Sequence, residues 1–347
     1  MIDLNQDYWP SLDWRSNDPE NVGIDSQQLN CLGHEIEARN NNVDAFLVVR
    51  DGYLAYEKYY NNTSKENKHL VASVTKSFIS ALIGIAINKG YIEGVDQRVV
   101  DFFPEYDLGQ DEYLKRQVTI EHLLTMTAGF YWRSGPRANE QLIDRLRRAK
   151  DWVAFILNLP LRENLFGRFQ YNSGCSHLLS AIITRSTGRC AQDFAEQYLF
   201  KPIGIEEPDA FFQHSYTQQD VFRNTSGIWP RDPQGNSIGG WGLFLTAMDM
   251  ARFGYLYLKR GCWSGEQTIP EQWVKDSISP HTPGYGYHFW LREMDELFIF
   301  SAVGQGGNHI FCVPDMDLVV VFACKPNARW GDRWLLLEKY LIPAIRN

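Results

Sequence analysis

The sequence predicts an α+β protein: an antiparallel sheet flanked by helices, with a mainly helical lobe inserted between its two halves. Three observations carry this. β-rich runs gather towards both ends of the 347-residue chain, helical patterns fill the middle, and no repeat, low-complexity tract or linker separates them. A chain this long can bury a sizeable core. We expect one domain over 1-347, with 1-72 and 245-347 as an α/β lobe and 73-244 as a helical lobe.

Taken in order, "LVVRDGYLAYEKYY" (Leu47 to Tyr60) is two β-rich runs around Asp51-Gly52, a strong hairpin signal. Helical patterns follow at Phe78 to Lys89, Ile120 to Met126, Leu142 to Leu157, Cys175 to Ser186, Ala191 to Phe200 and Ala247 to Lys259. Four strand-like runs come next, "YGYHFWLR", "LFIFSAV", "HIFCV" and "LVVVFAC", separated by the turn material "EMDE", "GQGGN" and "PDMD". A helical pattern from Arg329 to Ile345 closes the chain.

Composition narrows the function. A net charge of −8 argues against a nucleic-acid partner. The one basic cluster, "RLRRAK" from Arg145, lies in a helical pattern and reads as a solvated face. The longest apolar run, Phe78 to Ile87, is about half the ~20 residues that span a bilayer, so no membrane role is expected. The first residues lack the cationic start and apolar run of a secretory signal. Six scattered cysteines without a CxxC pair read as reduced thiols, and together these features fit a cytoplasmic protein. Aromatic residues make up 14%, with 11 Trp, a surplus that can line a pocket.

The question of chemistry starts at "VASVTKSFISALIGIAINKG" (Val71 to Gly90), where Lys76 enters the first turn of an otherwise apolar helix. No acidic residue lies three or four positions away to pair with it. Ser73, three residues earlier, shares its face. The bland reading makes Ser73 a helix cap; the sharper one makes it a nucleophile with Lys76 as its base. A lysine half neutral at pH 7 needs a fall of roughly 3 units from ~10.4, within reach of burial.

Two further segments have competing readings. Tyr171-Asn172-Ser173 precedes a helix, so Tyr171 reads as a core aromatic and Asn172 or Ser173 as a cap. "VGQGGNHIFCV" is either a plain hairpin turn or an edge where the backbone must approach a ligand closely. Gly235-Asn236-Ser237-Ile238-Gly239 matches a G-x-S-x-G nucleophile elbow, but no strand precedes it, and we read it as a chance match. No HExxH, Walker or paired CxxC pattern is present.

In this order and spacing, Ser73-Val74-Thr75-Lys76, "VTIEHLLTMTAGF", "FQYNSGCSHLLSAIITRSTG", "GGWGLFLTAMDMARFGYLYLKRGCW" and "GQGGNHIFCVPDMDLVVVF" resemble the serine β-lactamase-like hydrolases. The similarity runs from about Pro19 to the end of the sequence and is strongest to the class C-related branch of esterases, D-amino peptidases and 6-aminohexanoate-dimer hydrolases. It implies a β-lactamase/transpeptidase-like fold and a small-molecule ester or amide substrate cleaved through an acyl-enzyme, with no metal or organic cofactor. It also implies Ser73 as the acylated nucleophile, Lys76 as its partner and Tyr171 as general base or proton relay. The backbone N–H groups of Ser73 and Gly307 would form the oxyanion hole. Gly304-Gln305-Gly306 matches the third motif, and Tyr131, Trp132 and Trp241 are placed near the cleft, although each reads equally as core.

Two departures qualify the resemblance. Gly304 stands where the family's β-lactamases and transpeptidases carry a Lys or His that holds a substrate carboxylate, which points to neutral acyl groups. The second motif usually ends in Asn, whereas here it ends in Ser173. The expectation is therefore a serine hydrolase of small esters or amides. A β-lactamase or D-Ala-D-Ala-type peptidase, or an inactive ligand-binding relative, stands as the alternative.

Overall fold

Asp51 and Gly52 both adopt positive φ, 51° and 79°, the mirror-image two-residue turn that suits the twist of a hairpin. They join β1 (Val43–Arg50) to β2 (Tyr53–Tyr59). A computed structural model describes residues 8–39, 42–109, 112–133, 140–206, 229–294, 296–325 and 330–346. Two short strands, β3 (His69–Leu70) and β4 (Phe244–Leu245), pair with each other, as do β5 (Cys262–Trp263) and β6 (Glu266–Gln267). The four late strands are β7 (Trp290–Met294), β8 (Leu297–Gly304), β9 (Asn308–Val313) and β10 (Leu318–Cys324).

One antiparallel sheet unites the two ends of the chain in the order β2-β1-β10-β9-β8-β7. Its central strands read as continuous apolar runs because both faces are covered. Parity then divides them. Leu47 and Val49 of β1, with Val319 and Val321 of β10, face the larger core, while Phe46, Val48, Val320 and Phe322 face a second one. Helix α1 (Ser26–Arg39) and the closing segment cover that second face.

The larger core is built with α2 (Thr75–Asn88), α3 (Glu112–Lys115), α4 (Ile120–Leu124), α5 (Ile143–Arg148), α6 (Trp152–Leu157) and α7 (Ser173–Thr187). Helices α8 (Ala191–Ala195) and α9 (Lys201–Ile203) flank a π-helical turn, and α10 (Ala247–Leu258) packs on β9 and β10. Helix α11 (Glu271–Ser277) lies against α2.

Three expected elements differ. The pattern from Leu142 to Leu157 is two helices, not one, because Asp151 takes an extended backbone and caps α6, accepting the Ala154 N–H at 2.9 Å. "YGYHFWLR" becomes strand only at Trp290, since His288 sits at φ 64°. The last helical pattern is a short α12 (Arg333–Leu336) followed by a π-helical turn and a 3-10 turn; its expected start at Arg329 lies outside the described residues. Among the described residues no helix is long and apolar enough to cross a membrane.

Candidate active site

Helix α2 is buried along its whole first three turns, and Ser73 lies half-buried just before its start. There the chain makes a tight bend: Ala72 is held at φ 49° and begins a 3-10 turn through Val74. The Ser73 side chain does not cap the helix. Its Oγ instead accepts a hydrogen bond from Lys76 Nζ at 2.9 Å. The same ammonium donates to the Gly240 carbonyl at 2.6 Å.

Lys76 is 1% exposed, and this burial lowers its pKa to about 8, with the negative charge of Glu140 opposing the fall. The Tyr171 hydroxyl hydrogen-bonds Ser73, and Lys76 Nζ sits 4.8 Å from the centre of the Tyr171 ring. Burial, then the Glu140 charge, push the Tyr171 pKa up, so it stays a protonated hydroxyl at neutral pH. Three functional groups thus meet at one oxygen.

Tyr171 is positioned by the start of α7. Asn172 is the cap, its Oδ1 accepting from Gly174 N at 2.8 Å and Cys175 N at 3.3 Å. Ser173 donates both its N–H (2.7 Å) and its hydroxyl (2.5 Å) to the Glu140 carboxylate, which also accepts from Trp132 Nε1 at 2.5 Å. A carboxylate at a helix start is favoured by the free N–H groups and the dipole there. Ser173, standing where the family has an amide, faces Glu140.

Gly240 completes the cradle of Lys76. A Cβ on it would lie 2.8 Å from Ser173 Cβ, so only glycine lets this backbone reach α7. The preceding Gly239 N–H is held by His177 Nδ1 at 3.4 Å. His177 Nε2 in turn donates to Asp232 at 2.9 Å, which fixes the tautomer. Behind α2, burial and the Lys76 charge lower the His288 pKa to about 3, so this ring stays neutral.

The β8–β9 turn lies against the same bend. A Cβ on Gly304 would fall 2.2 Å from the Val71 carbonyl, so a side chain here would push the sheet edge off the serine. Asn308 Nδ2 ties this edge to Leu70 O at 3.2 Å and Gln305 O at 3.0 Å. Gln305 is exposed, and Gly306 O accepts from Asn42 at 2.5 Å. The Gly307 N–H, expected as the second oxyanion donor, donates to Gly304 O at 3.2 Å and so closes the turn.

The expected cleft aromatics divide. Trp132 is wholly buried with its N–H on Glu140, a core position and not a cleft wall. Tyr131 is half-buried beneath the Arg162 guanidinium, 4.0 Å from its ring. Trp241 is 7% exposed and packs on Trp152. The rings that do flank Tyr171 are Trp290, stacked at 6.0 Å, and beyond it Phe169. Ser237 of the apparent elbow is buried, with its Oγ accepting from Gln192 N. Arg147, expected on a solvated face, is also largely buried, its guanidinium 5.4 Å from the Trp241 ring.

Sequence reasoning missed Glu140, Trp290 and Arg147. Only the aromatic density of "YGYHFWLR" signalled one of them.

This architecture is widely shared. A 6-aminohexanoate-dimer hydrolase of Paenarthrobacter ureafaciens is 25% identical over 307 residues, covering 80% of this chain and 71% of its own. A solved structure from Bacillus anthracis, provisionally described as a 6-aminohexanoate-dimer hydrolase, superposes with a TM-score of 0.72 at 20% identity, covering 94% of this chain and 84% of that one. A family VIII carboxylesterase does so with a TM-score of 0.67 at 15% identity, covering 92% and 97%. The Beta-lactamase family model matches residues 34–333, nearly the whole chain, and the protein belongs to that family.

Proposed function

We propose that the protein is a serine hydrolase that cleaves small esters or amides through an acyl-enzyme on Ser73. The observation that carries this reading is the meeting of Lys76 Nζ, the Tyr171 hydroxyl and Ser73 Oγ at one point. With a pKa of about 8, Lys76 is neutral in about one-tenth of molecules at pH 7. That fraction takes the Ser73 proton, and the Ser73 oxygen attacks the substrate carbonyl. The Ser73 N–H at the start of α2 faces the developing oxyanion. Tyr171, which keeps its proton, delivers it to the leaving group and is resupplied from Lys76. Water then enters along the same relay in reverse and releases the acid.

The names of the relatives, a 6-aminohexanoate-dimer hydrolase and a carboxylesterase, support this substrate range. Gly304 offers no cation at the sheet edge, so a substrate carboxylate is not held there. Six unpaired thiols, five of them buried, suit a reducing compartment, and we place the protein in the cytoplasm.

A fluorophosphonate probe tests the nucleophile. We expect one equivalent of label on Ser73, and Ser73→Ala to abolish both labelling and p-nitrophenyl butyrate hydrolysis. Label on Ser237, or an active Ser73→Ala protein, would end this assignment. A higher kcat/KM for a penicillin than for p-nitrophenyl butyrate would restore the β-lactamase alternative.

A further inference from the structure

Arg147 has a problem that Lys76 does not. Its side chain is 11% exposed, and its Nε and Nη1 are buried with no hydrogen-bond partner among the described residues. The nearest carboxylate, Asp144, is 3.6 Å from Nη1 and half-exposed to water. An arginine cannot escape this by losing its proton. The guanidinium lies over Trp241, whose Nε1 is also buried without a partner. Trp152, 5.9 Å from Trp241 between ring centres, has a fourth such donor.

Among the described residues, four buried donors and one positive charge are therefore gathered with only the half-exposed Asp144 as counter-ion. Two carboxylates beside Trp152 have other partners. Asp232 holds His177, Gln234 N and Asn236, and Asp151 holds Ala154 N and Tyr106. A water would satisfy two donors and leave the charge uncompensated. A carboxylate has four lone-pair sites and one negative charge, and Arg with indole N–H groups suits it.

We infer that Arg147, Trp241 and Trp152 form a binding site for a carboxylate carried by the substrate. The cluster is one residue from the catalytic centre along the chain, because Trp241 follows the Gly240 whose carbonyl holds Lys76. It supplies from the helical lobe the cation that Gly304 does not supply from the sheet edge. It thus replaces the neutral-substrate expectation with a substrate of two ends, a scissile ester or amide and a carboxylate. This inference rests on the hydrolase reading, but its test need not.

In Ser73→Ala protein, intrinsic tryptophan emission is titrated with glutarate, its dimethyl ester, inorganic phosphate and chloride. We expect glutarate to shift the emission saturably and the dimethyl ester to do nothing. Arg147→Gln should weaken glutarate binding about ten- to a hundredfold, Arg147→Lys less, and Trp241→Phe, which keeps the ring and loses the N–H, several-fold. In the active enzyme, kcat/KM for mono-p-nitrophenyl glutarate relative to p-nitrophenyl butyrate should fall by a similar factor in Arg147→Gln.

Equal responses to glutarate and its dimethyl ester would overturn the site. So would glutarate binding that survives in Arg147→Gln. Saturation by chloride or phosphate with no response to glutarate would make it a free-anion site and remove the substrate from the proposal. If neither ester is turned over by the parent enzyme, the hydrolase reading fails while the titration still decides the site.

Discussion

Two buried cations, Lys76 and Arg147, are treated in opposite ways. Lys76 has two acceptors, Ser73 Oγ and Gly240 O, and a pKa lowered to about 8, so the fold holds it in either protonation state. Among the described residues, Arg147 has an aromatic face, the half-exposed Asp144 at 3.6 Å and buried N–H groups without a hydrogen-bond acceptor. The difference follows from side-chain chemistry. Burial turns a lysine into a base, because the ammonium relieves its desolvation by giving up a proton. Burial of a guanidinium offers no such relief and leaves a demand for an anion. One cation is built to move a proton, the other to hold a charge.

The largest effect should come from erasing that distinction at Lys76. Lys76→Arg keeps the positive charge and removes the ability to deprotonate, so acylation should fall by at least about 10²-fold. Pre-steady-state release of p-nitrophenol measures this directly. Near-parental acylation in Lys76→Arg would mean that charge alone serves at this position.

A smaller change should follow at Glu140. Its negative charge favours protonated Lys76, so Glu140→Gln should lower the lysine pKa. The sign is fixed by that charge: kcat/KM should rise with pH along a limb near 8 in the parent, and the limb should move down by about 1 pH unit in the variant. An unmoved limb, or one shifted upward, would reduce Glu140 to a structural anchor for Ser173 and Trp132.

The smallest effect tests the other cation. Replacing a poorly paired buried ion by an apolar side chain of similar size is often stabilising. Arg147→Met should therefore raise the stability of the ligand-free protein by about 1 kcal/mol in urea unfolding. A loss of stability would show that Arg147 contributes to the fold and is not carried for a ligand.

What was legible in the sequence was local. The Asp51-Gly52 hairpin, the four late strands and the apolar α2 each show within a single window of residues. So do Ser73 and Lys76, because three residues on a helix define a shared face. The break between α5 and α6 was not legible, since Asp151 caps α6 where the periodicity continues. Glu140 and Arg147 belong to no spacing rule. Glu140 meets Ser173, Trp132 and the field of Lys76 only through tertiary packing, and Arg147 meets Trp241 across nearly a hundred positions. Trp132 stayed open between cleft and core for the same reason: a tryptophan after a family motif looks the same in sequence whether its N–H faces a cleft or a buried carboxylate.

The pairing of β1 with β10 has a consequence for how the protein is made. Val43 of β1 is partnered by Cys324, so the middle of the sheet waits until all the intervening chain has been synthesised. Until then β1 is an apolar strand with one open edge, offered by a nascent chain whose helices can already be forming. Such a chain folds late and around a long-range closure, and the interval before closure is when another unfinished copy can take the place of β10.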